Sequence, residues 1–482
     1  MTGDVALSRP LRLATQLTGD RPSEARARLL NAAVHVRIAA EVEDNQDAAV
    51  LLRSLVDQLS RFCGAVAVSA PAAIAQACIE RDRELHDRPR VHAERGSSAG
   101  ANALDIFIGG CPSVPGGIAT CSDGWTGKVY AAGARERTTA FTIANPIGAL
   151  TAAALTAGEA FLRLIGVGRP PRAFELSAWT GDCGPPGSLP DGPRLPTIPP
   201  IDALLIGCGN VMNGWAVAVR ALQITGHVRA VDRQSLGEEN LGPYALARRD
   251  MIRQPKTALL AGHLQPLITV TPHDEELDLF VPRVTRWHLP LPALVINGLD
   301  EVEPRHVVQR LWPDVLVDMA AGGTTSQVIV HRRSDAGQCL VGAFAAPNTE
   351  LSYARRIEAA TGLRRERFLN EFITPVTAED VAQAPSEHRV RLQAAADSGQ
   401  LLCGYINQAS LTMTSTGEDF APAAPFMGAL TGARAAAITV ALLAGDNVPG
   451  GLRWQYNFLS NRARTAVMHC PGTCECQTGQ AT

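Results

Sequence analysis

Four polar residues in the second half of the chain have the chemistry to bind a nucleotide and a divalent cation: Asp232, Asn240, Lys256 and Asp300. A lysine can neutralise phosphate oxygens, and a carboxylate suits Mg²⁺, which is a hard cation. An acid at the end of a strand can accept hydrogen bonds from ribose hydroxyls. Together they could activate a carboxylate with ATP by stabilising the pyrophosphate that leaves. A surface lysine, a turn asparagine and a helix-capping aspartate are the ordinary structural explanations.

The elements that must position these residues begin at residue 203. An apolar run at 203–206 breaks into a turn with Gly207 and Gly209, a helix-like segment follows, and a second apolar run at 228–231 ends on Asp232. Strand, glycine turn, helix, strand and acid is the outline of a nucleotide-binding β-α-β unit. The glycines let the backbone approach a phosphate, and the helix N-terminus favours an anion. Alone the pattern is weak, because the third glycine is missing.

Further motifs at fixed spacing make the pattern specific. Asn240 is followed directly by a leucine. Lys256, sixteen residues after Asn240, is preceded directly by a proline. Asp300 opens an Asp-x-x-x-x-Arg segment that ends at Arg305. These motifs follow the strand-end Asp232 in this order. The complete series resembles the adenylating core shared by ubiquitin-activating enzymes and the sulfur-carrier activators of thiamine and molybdopterin synthesis. The resemblance covers residues 203 to about 331.

The resemblance implies an ATP site, and its residues are Gly207, Gly209, Asp232, Asn240, Lys256 and Asp300. Asp232 would bind the ribose, and Lys256 would neutralise phosphate and serve catalysis. Asn240 would contact phosphate or orient Lys256. Asp300 would hold Mg²⁺, and Arg305 would brace the site. The structural alternative for Asp300 is the N-cap of a helix expected at 302–311, and the two roles are compatible.

The chain departs from the family pattern at three points. Pro243 stands where the family has an arginine, for which Arg248 or Arg249 could substitute, and Gln234 replaces a second acid. The family also uses an arginine from an inactive half. The candidates for that arginine are Arg26, Arg28 and Arg37.

A thiolate that displaces AMP from an acyl adenylate must be exposed and have electropositive surroundings. Cys403 lies in the region where the family carries its catalytic cysteine and is the predicted nucleophile. Cys339 is its rival. Cys63 and Cys78 lie in apolar helical context and Cys208 in the glycine turn, so burial is expected for them.

The C-terminal thiols resemble the late zinc pair of the family. A tetrahedral site would combine Cys339 with Cys470, Cys474 and Cys476, although the spacing is not the usual one. A flexible reactive tail is the alternative, so zinc stays open.

Composition limits the class of protein. A chain of 482 residues needs two or three domains, and 46% hydrophobic with 19% charged residues is typical of a globular protein. Net charge −3 gives no reason to expect nucleic acid or an anionic membrane as partner. The sequence shows neither an uninterrupted apolar span near twenty residues nor a signal peptide. Its eleven cysteines are scattered, which indicates reduced thiols rather than a disulfide framework. The cytoplasm is the expected compartment.

The two parts of the chain share a sequence pattern. Gly-Ala-Leu-Thr at 148–151 and again at 428–431 begins an Ala-rich helix that is followed by a Trp-bearing strand. Duplication explains this better than chance, although small residues also permit close helix packing in general. The family likewise pairs an inactive adenylation half with an active one.

We therefore predict an α/β protein with two Rossmann-like halves around a pseudo-twofold axis, the first inactive and the second active, plus a cysteine-bearing insertion. The predicted divisions are 1–180 (inactive half), 181–200 (Pro-rich linker), 201–344 (active half), 345–425 (crossover and cysteine region) and 426–482 (final helix, strand and Cys-containing tail).

The predicted function is adenylation of the C-terminus of a small ubiquitin-like protein, then thioester formation and transfer to a conjugating-type partner enzyme. The Ala/Arg/Pro-rich composition is typical of a bacterial protein, and the fused two-half layout resembles the activating enzyme of bacterial ubiquitin-like conjugation systems linked to phage defence. The alternatives are a sulfur-carrier adenylyltransferase and a non-catalytic or dinucleotide-binding Rossmann protein. A homo-oligomer is left open.

Overall fold

The computed structural model describes most of the chain. The described residues are 7–94, 103–110, 114, 116–132, 141–167, 173–287, 290–344, 358, 361–364, 367, 374–402, 405–406, 422–470 and 474.

The first half forms one eight-stranded sheet with helices. Its helices are α1 (Ser8–Thr18), α2 (Pro22–Leu30), α3 (Gln46–Ser60), α4 (Ala72–Leu85) and α5 (Pro146–Leu164). Its strands are β1 (Ala33–Ile38), β2 (Ala65–Ser69), β3 (Val91–Ala93), β4 (Leu104–Ile108), β5 (Ile118–Asp123), β6 (Thr126–Ala131), β7 (Phe174–Ser177) and β8 (Cys183–Gly184).

The second half forms another eight-stranded sheet. Its strands are β9 (Ile201–Ile206), β10 (Gly226–Val231), β11 (Ile268–His273), β12 (Leu294–Asn297), β13 (Val315–Gly322), β14 (Thr325–Arg332), β15 (Leu452–Asn457) and β16 (Arg462–Val467). Its helices are α6 (Asn210–Ala221), α7 (Lys256–Leu264), α8 (Leu277–Arg286), α9 (Val302–Gln309), α10 (Leu340–Ala343), α11 (Ala378–Gln383), α12 (Ser386–Asp397) and α13 (Pro425–Leu443).

The two sheets have the same strand order. The first runs β3-β2-β1-β4-β5-β6-β7-β8 and the second β11-β10-β9-β12-β13-β14-β15-β16. In each, the first five strands of that order are parallel and the last three are joined by antiparallel pairing. The mixed α/β fold is confirmed, and the repeated order is consistent with two Rossmann-like halves.

Two Ala-rich helices, α5 and α13, lie between the sheets. Both begin two or three residues before the repeated Gly-Ala-Leu-Thr sequence, and Phe161 of α5 packs on Phe426 of α13 with ring centroids 5.5 Å apart. Small residues permit close packing here: a Cβ on Gly214 of α6 would lie 2.1 Å from the carbonyl oxygen of Gly428.

The expectation of no apolar span near twenty residues was wrong for these two helices. Both are long and apolar enough to span a membrane, but 89% and 83% of their apolar windows are buried inside the protein. Burial of this extent is typical of core helices in a soluble protein.

One local expectation was wrong. Residues 24–36 are helical in composition, which predicts a continuous helix, but the helix ends with α2 at Leu30 and β1 follows. Val34 and Val36 of β1 are buried in the core, and burial overrides local propensity. The predicted linker 181–200 also contains β8, which pairs with β7. Residues 185–200 have no helix or strand, and the Trp125 indole donates to Pro193 at 2.7 Å, so this segment packs on the first half.

The interval 345–425 is described in part. Its helices α11 and α12 pack around a small apolar cluster of their own, with Leu392, Leu402 and Tyr405 buried at its centre. Residues 351–372 are rich in charged side chains, and their sequence predicts a helix, but they lie largely outside the described residues.

Candidate active site

The glycine turn follows β9 as the sequence predicts. Gly207 has a φ of +77°, and a Cβ there would lie 2.9 Å from Cδ2 of Leu299 and 3.0 Å from its amide nitrogen. Glycine is therefore required, because the turn packs directly against the segment that leads to Asp300. Gly209 is the N-cap of α6, and a Cβ there would lie 3.4 Å from the Tyr244 hydroxyl, an ordinary van der Waals contact. The helix N-terminus thus faces the cleft with unpaired N–H groups that favour an anion.

Asp232 lies at the end of β10, beside this turn. Its carboxylate accepts a hydrogen bond from the Cys208 amide and another from the Gln234 amide, both at 2.7 Å. Each carboxylate oxygen can accept a further bond, so the group can still bind a ligand hydroxyl.

Lys256 is the first residue of α7 and is 5% exposed. Its ammonium group donates to the side-chain oxygen of Gln234 and, at 3.2 Å, to the Tyr244 hydroxyl. Burial disfavours the charged form, but Tyr244 and Asp232 outweigh it and raise the pKa of Lys256. A permanently charged lysine is therefore held inside the cleft.

The residues between β10 and α7 form a compact loop around a small apolar cluster of Leu236, Leu241, Tyr244, Ala247 and Leu259. Asn240 is buried there, and its side-chain oxygen accepts from the Gly237 amide at 3.0 Å. This bond closes a turn that presents Asn240 to the cleft. Tyr244, which the sequence motifs did not single out, also contacts the lysine.

The opposite wall of the cleft follows β12. Asp300 is exposed there, and the helix-capping position belongs to Glu301, so the expected cap at Asp300 is wrong. Arg305 donates to the carbonyl oxygen of Leu299 at 2.6 Å and to buried Asp318 at 3.2 Å. The arginine therefore fixes the segment that carries Asp300, while the aspartate carboxylate stays free to face the cleft.

These groups enclose a cleft of about 280 Å³. The predicted site residues all line it, namely Gly207, Gly209, Asp232, Asn240, Lys256 and Asp300. A nucleoside triphosphate and its metal require an anion-binding position and a cation-binding position in one cleft. Here the helix N-terminus and Lys256 suit the anion, and Asp300 suits the cation.

An arginine from the first half also lines the cleft, but it is Arg9 of α1. The three candidates lie elsewhere: Arg28 pairs with Asp20, Arg37 with Asp105, and Arg26 is exposed on α2. Arg9 lies almost 200 residues before the glycine turn, and no spacing in the sequence points to it.

The replacement for the arginine missing at Pro243 is likewise not found at the expected positions. Arg248 pairs with Asp250, and Arg249 pairs with Asp87 of the first half. Neither lines the cleft.

The predicted nucleophile, Cys403, and Cys476 lie outside the described residues. Cys63, Cys78 and Cys208 are buried as expected, and burial raises the pKa of each thiol, to about 12 for Cys78.

The rival, Cys339, belongs to a cluster of thiols. Its sulfur lies 3.5 Å from those of Cys470 and Cys474, and the three sulfurs are within 4.8 Å of one another. The Cys339 amide donates to the Cys470 sulfur at 3.1 Å, and the Gly342 amide to the Cys339 sulfur at 3.4 Å. Burial, with the neighbouring thiols, raises the pKa of Cys339. Three cysteine sulfurs this close form a donor set that suits zinc, which would bind them as thiolates.

Comparisons with known proteins bear mainly on the first half. A family model described as the BilD N-terminal domain matches residues 33–177, which span β1 to β7. No curated protein matches the chain. Among solved structures, the selenomethionine form of PaaA is similar with a TM-score of 0.35 and 10% sequence identity. The similarity covers 56% of this chain and 64% of that one, and a TM-score this low establishes no shared fold.

Proposed function

We propose that this protein adenylates the C-terminal carboxylate of a small ubiquitin-like protein with ATP and Mg²⁺. The observation that carries the proposal is the cleft itself, which brings together the glycine turn, a buried charged Lys256 and the exposed carboxylate of Asp300.

The reaction needs the carrier carboxylate to attack the α-phosphate and pyrophosphate to leave. In the proposal the ribose hydroxyls bind Asp232, and the phosphates lie over the N-terminus of α6. Lys256 and Arg9 neutralise the charge that develops on the leaving group, and Asn240 fixes the phosphates in place. Asp300 would hold Mg²⁺, which supplies further charge neutralisation. No conjugating step is needed for this half-reaction.

The complete proposal adds attack by Cys403 on the acyl adenylate, which forms a thioester, releases AMP and passes the carrier to a conjugating-type partner in the cytoplasm. Activation of a sulfur carrier would use the same cleft without a thioester. A dinucleotide-binding role fits less well, because a buried lysine beside an exposed carboxylate suits a triphosphate and its metal better than a pyrophosphate bridge.

The first test is ATP–pyrophosphate exchange with the full-length protein and small β-grasp proteins that end in glycine and are encoded in the same genome. We expect radiolabelled pyrophosphate to enter ATP only when Mg²⁺ and one such carrier are both present. The matched control is the same carrier with its last glycine removed. Exchange with no carrier, or tight binding of NAD in place of ATP, would contradict the proposal.

We also propose that Cys339, Cys470 and Cys474 bind zinc, with Cys476 as the fourth ligand. Elemental analysis of the purified protein is expected to give about one zinc per chain. Cys470→Ser should lose most of that metal, whereas Cys183→Ser, which removes a thiol outside the cluster, should retain it. A metal-free protein, or a disulfide between two of these cysteines found by mass spectrometry, would refute the site.

A further inference from the structure

A charge cluster in the first half lies next to the candidate site. Asp57 of α3 binds two arginines: Arg61 one turn later, at 3.0 Å and 3.1 Å, and Arg81 of α4 at 2.9 Å. Burial opposes ionisation of Asp57, but the two guanidinium groups outweigh it and lower its pKa. Asp57 and Arg81 are partly exposed, whereas the Arg61 side chain is fully buried. The Arg61 guanidinium group is thus paired with an ionised carboxylate in a place where an unpaired charge would be costly.

The remaining bonds of Arg61 reach the other half of the chain, and so does Nη2 of Arg81, whose Nη1 donates to Glu84 of its own helix at 2.6 Å. Arg61 donates to the carbonyl oxygens of Leu241 and, at 3.1 Å, Ala245. Arg81 donates to the carbonyl oxygens of Ala245 at 2.7 Å and Ala247 at 3.0 Å. Residues 241–247, here called the site loop, are therefore fixed at three carbonyls by two guanidinium groups from the first half. Charged donors to carbonyls are among the stronger protein hydrogen bonds.

The site loop is bound from its other side by the nucleotide site. The Leu246 amide donates to the side-chain oxygen of Asn213 at 3.2 Å. The side-chain nitrogen of Asn213 donates to the Cys208 and Gly209 carbonyls, at 3.1 Å and 2.8 Å, in the glycine turn. The Tyr244 hydroxyl accepts from the ammonium group of Lys256. One short loop thus connects the first-half arginines with both the glycine turn and the lysine.

We infer that Asp57, Arg61 and Arg81 are positioning residues for the nucleotide site and act through the site loop on Lys256. The first half, which lacks a glycine turn after β1, would then contribute to ATP binding by holding a loop of the second half. Asp57 fixes the guanidinium planes, and the guanidinium groups fix the loop. The consequence for ATP rests on the proposed function, whereas the effect on the loop does not.

The test compares Arg61→Gln and Arg81→Gln with the wild-type full chain. A matched control is Arg28→Gln, since Arg28 also pairs with an aspartate and donates to a backbone carbonyl, that of Ile165, but entirely within the first half. Amide hydrogen exchange is measured without ligand over residues 238–248. The affinity for Mg·ATP is measured by calorimetry without carrier.

In both Arg61→Gln and Arg81→Gln, we expect the amides of Tyr244, Leu246 and Ala247 to exchange about tenfold faster or more. We also expect both variants to bind Mg·ATP about tenfold more weakly, since a lost hydrogen bond to a charged group is usually worth about that factor. The control should change neither value. Adding Tyr244→Phe to Arg61→Gln should weaken binding by less than the two single effects combined, because both act on Lys256.

Unchanged exchange in the site loop of a folded variant would overturn the inference. Faster exchange with unchanged ATP affinity would show that the cluster only stabilises the loop, which also overturns it. If Arg61→Gln fails to fold, the partly exposed Arg81 provides the same test. Wild-type protein that binds no ATP would instead contradict the proposed function, and the exchange data would still decide the effect on the loop.

Discussion

Lys256→Ala is expected to reduce carrier-dependent pyrophosphate exchange by a factor of about 10² to 10³, the usual effect of removing one donor that stabilises developing charge. The side chain is buried beside Gln234 and Tyr244, and its ammonium group is the charge they orient. Lys256→Arg should also lose most activity, because a planar guanidinium group needs more space and a different geometry than a compact ammonium group.

The sequence provides a matched control for this prediction. The chain has 44 lysine and arginine residues, and only Lys128 and Lys256 are lysines. Lys128 lies on β6 of the first half, outside the cleft, so Lys128→Ala should leave exchange unchanged. Full activity in Lys256→Ala would remove the basis for the proposed site. The rarity of lysine is also a signal that marks position 256 without any family resemblance.

Cys403→Ala should abolish a thiol-sensitive adduct between the protein and its carrier while pyrophosphate exchange continues at the wild-type rate. Adenylation precedes attack by the cysteine, so the first half-reaction does not need the sulfur. The adduct is measured on non-reducing gels with and without dithiothreitol. In the sequence, Cys403 follows Leu402, which is buried in the apolar cluster of the 345–425 interval, and it precedes by some twenty residues Ala423, which lines the candidate cleft.

Cys183→Ala is the control, because this thiol is part-buried between β8 and the loop before β16. An adduct that survives in Cys403→Ala would place the nucleophile elsewhere. Cys339 would be a poor replacement, since its sulfur is buried among other thiols. Wild-type protein that exchanges pyrophosphate but never forms an adduct would favour the sulfur-carrier alternative.

The second-half site was largely predictable because its parts follow one another along a single β-α-β unit. The glycine turn, Asp232 and Asn240 lie within 34 residues, and the parallel order of β10, β9 and β12 brings Asp300 to the same edge. Strand ends that share one edge of a parallel sheet converge whatever the details of packing.

The contributions of the first half could not be predicted in this way. Arg9 and Arg81 lie in helices and Arg61 directly follows one, and a solvated arginine in these places would look the same. Arg9 reaches the cleft, and Arg61 and Arg81 reach the site loop, through packing of one half on the other. Residues 33–36, whose composition is helical, form part of β1 for a related reason, since burial rather than local propensity decides their structure.

The repeated strand order has a consequence for how such a protein works at low abundance. Two separate subunits that share a catalytic cleft dissociate on dilution. The activity per molecule then falls as the subunit concentration falls. Here the residues at 185–200 tie both sheets into one polypeptide, so each half experiences a constant effective concentration of the other. A cell could keep very few copies without losing any of them to dissociation.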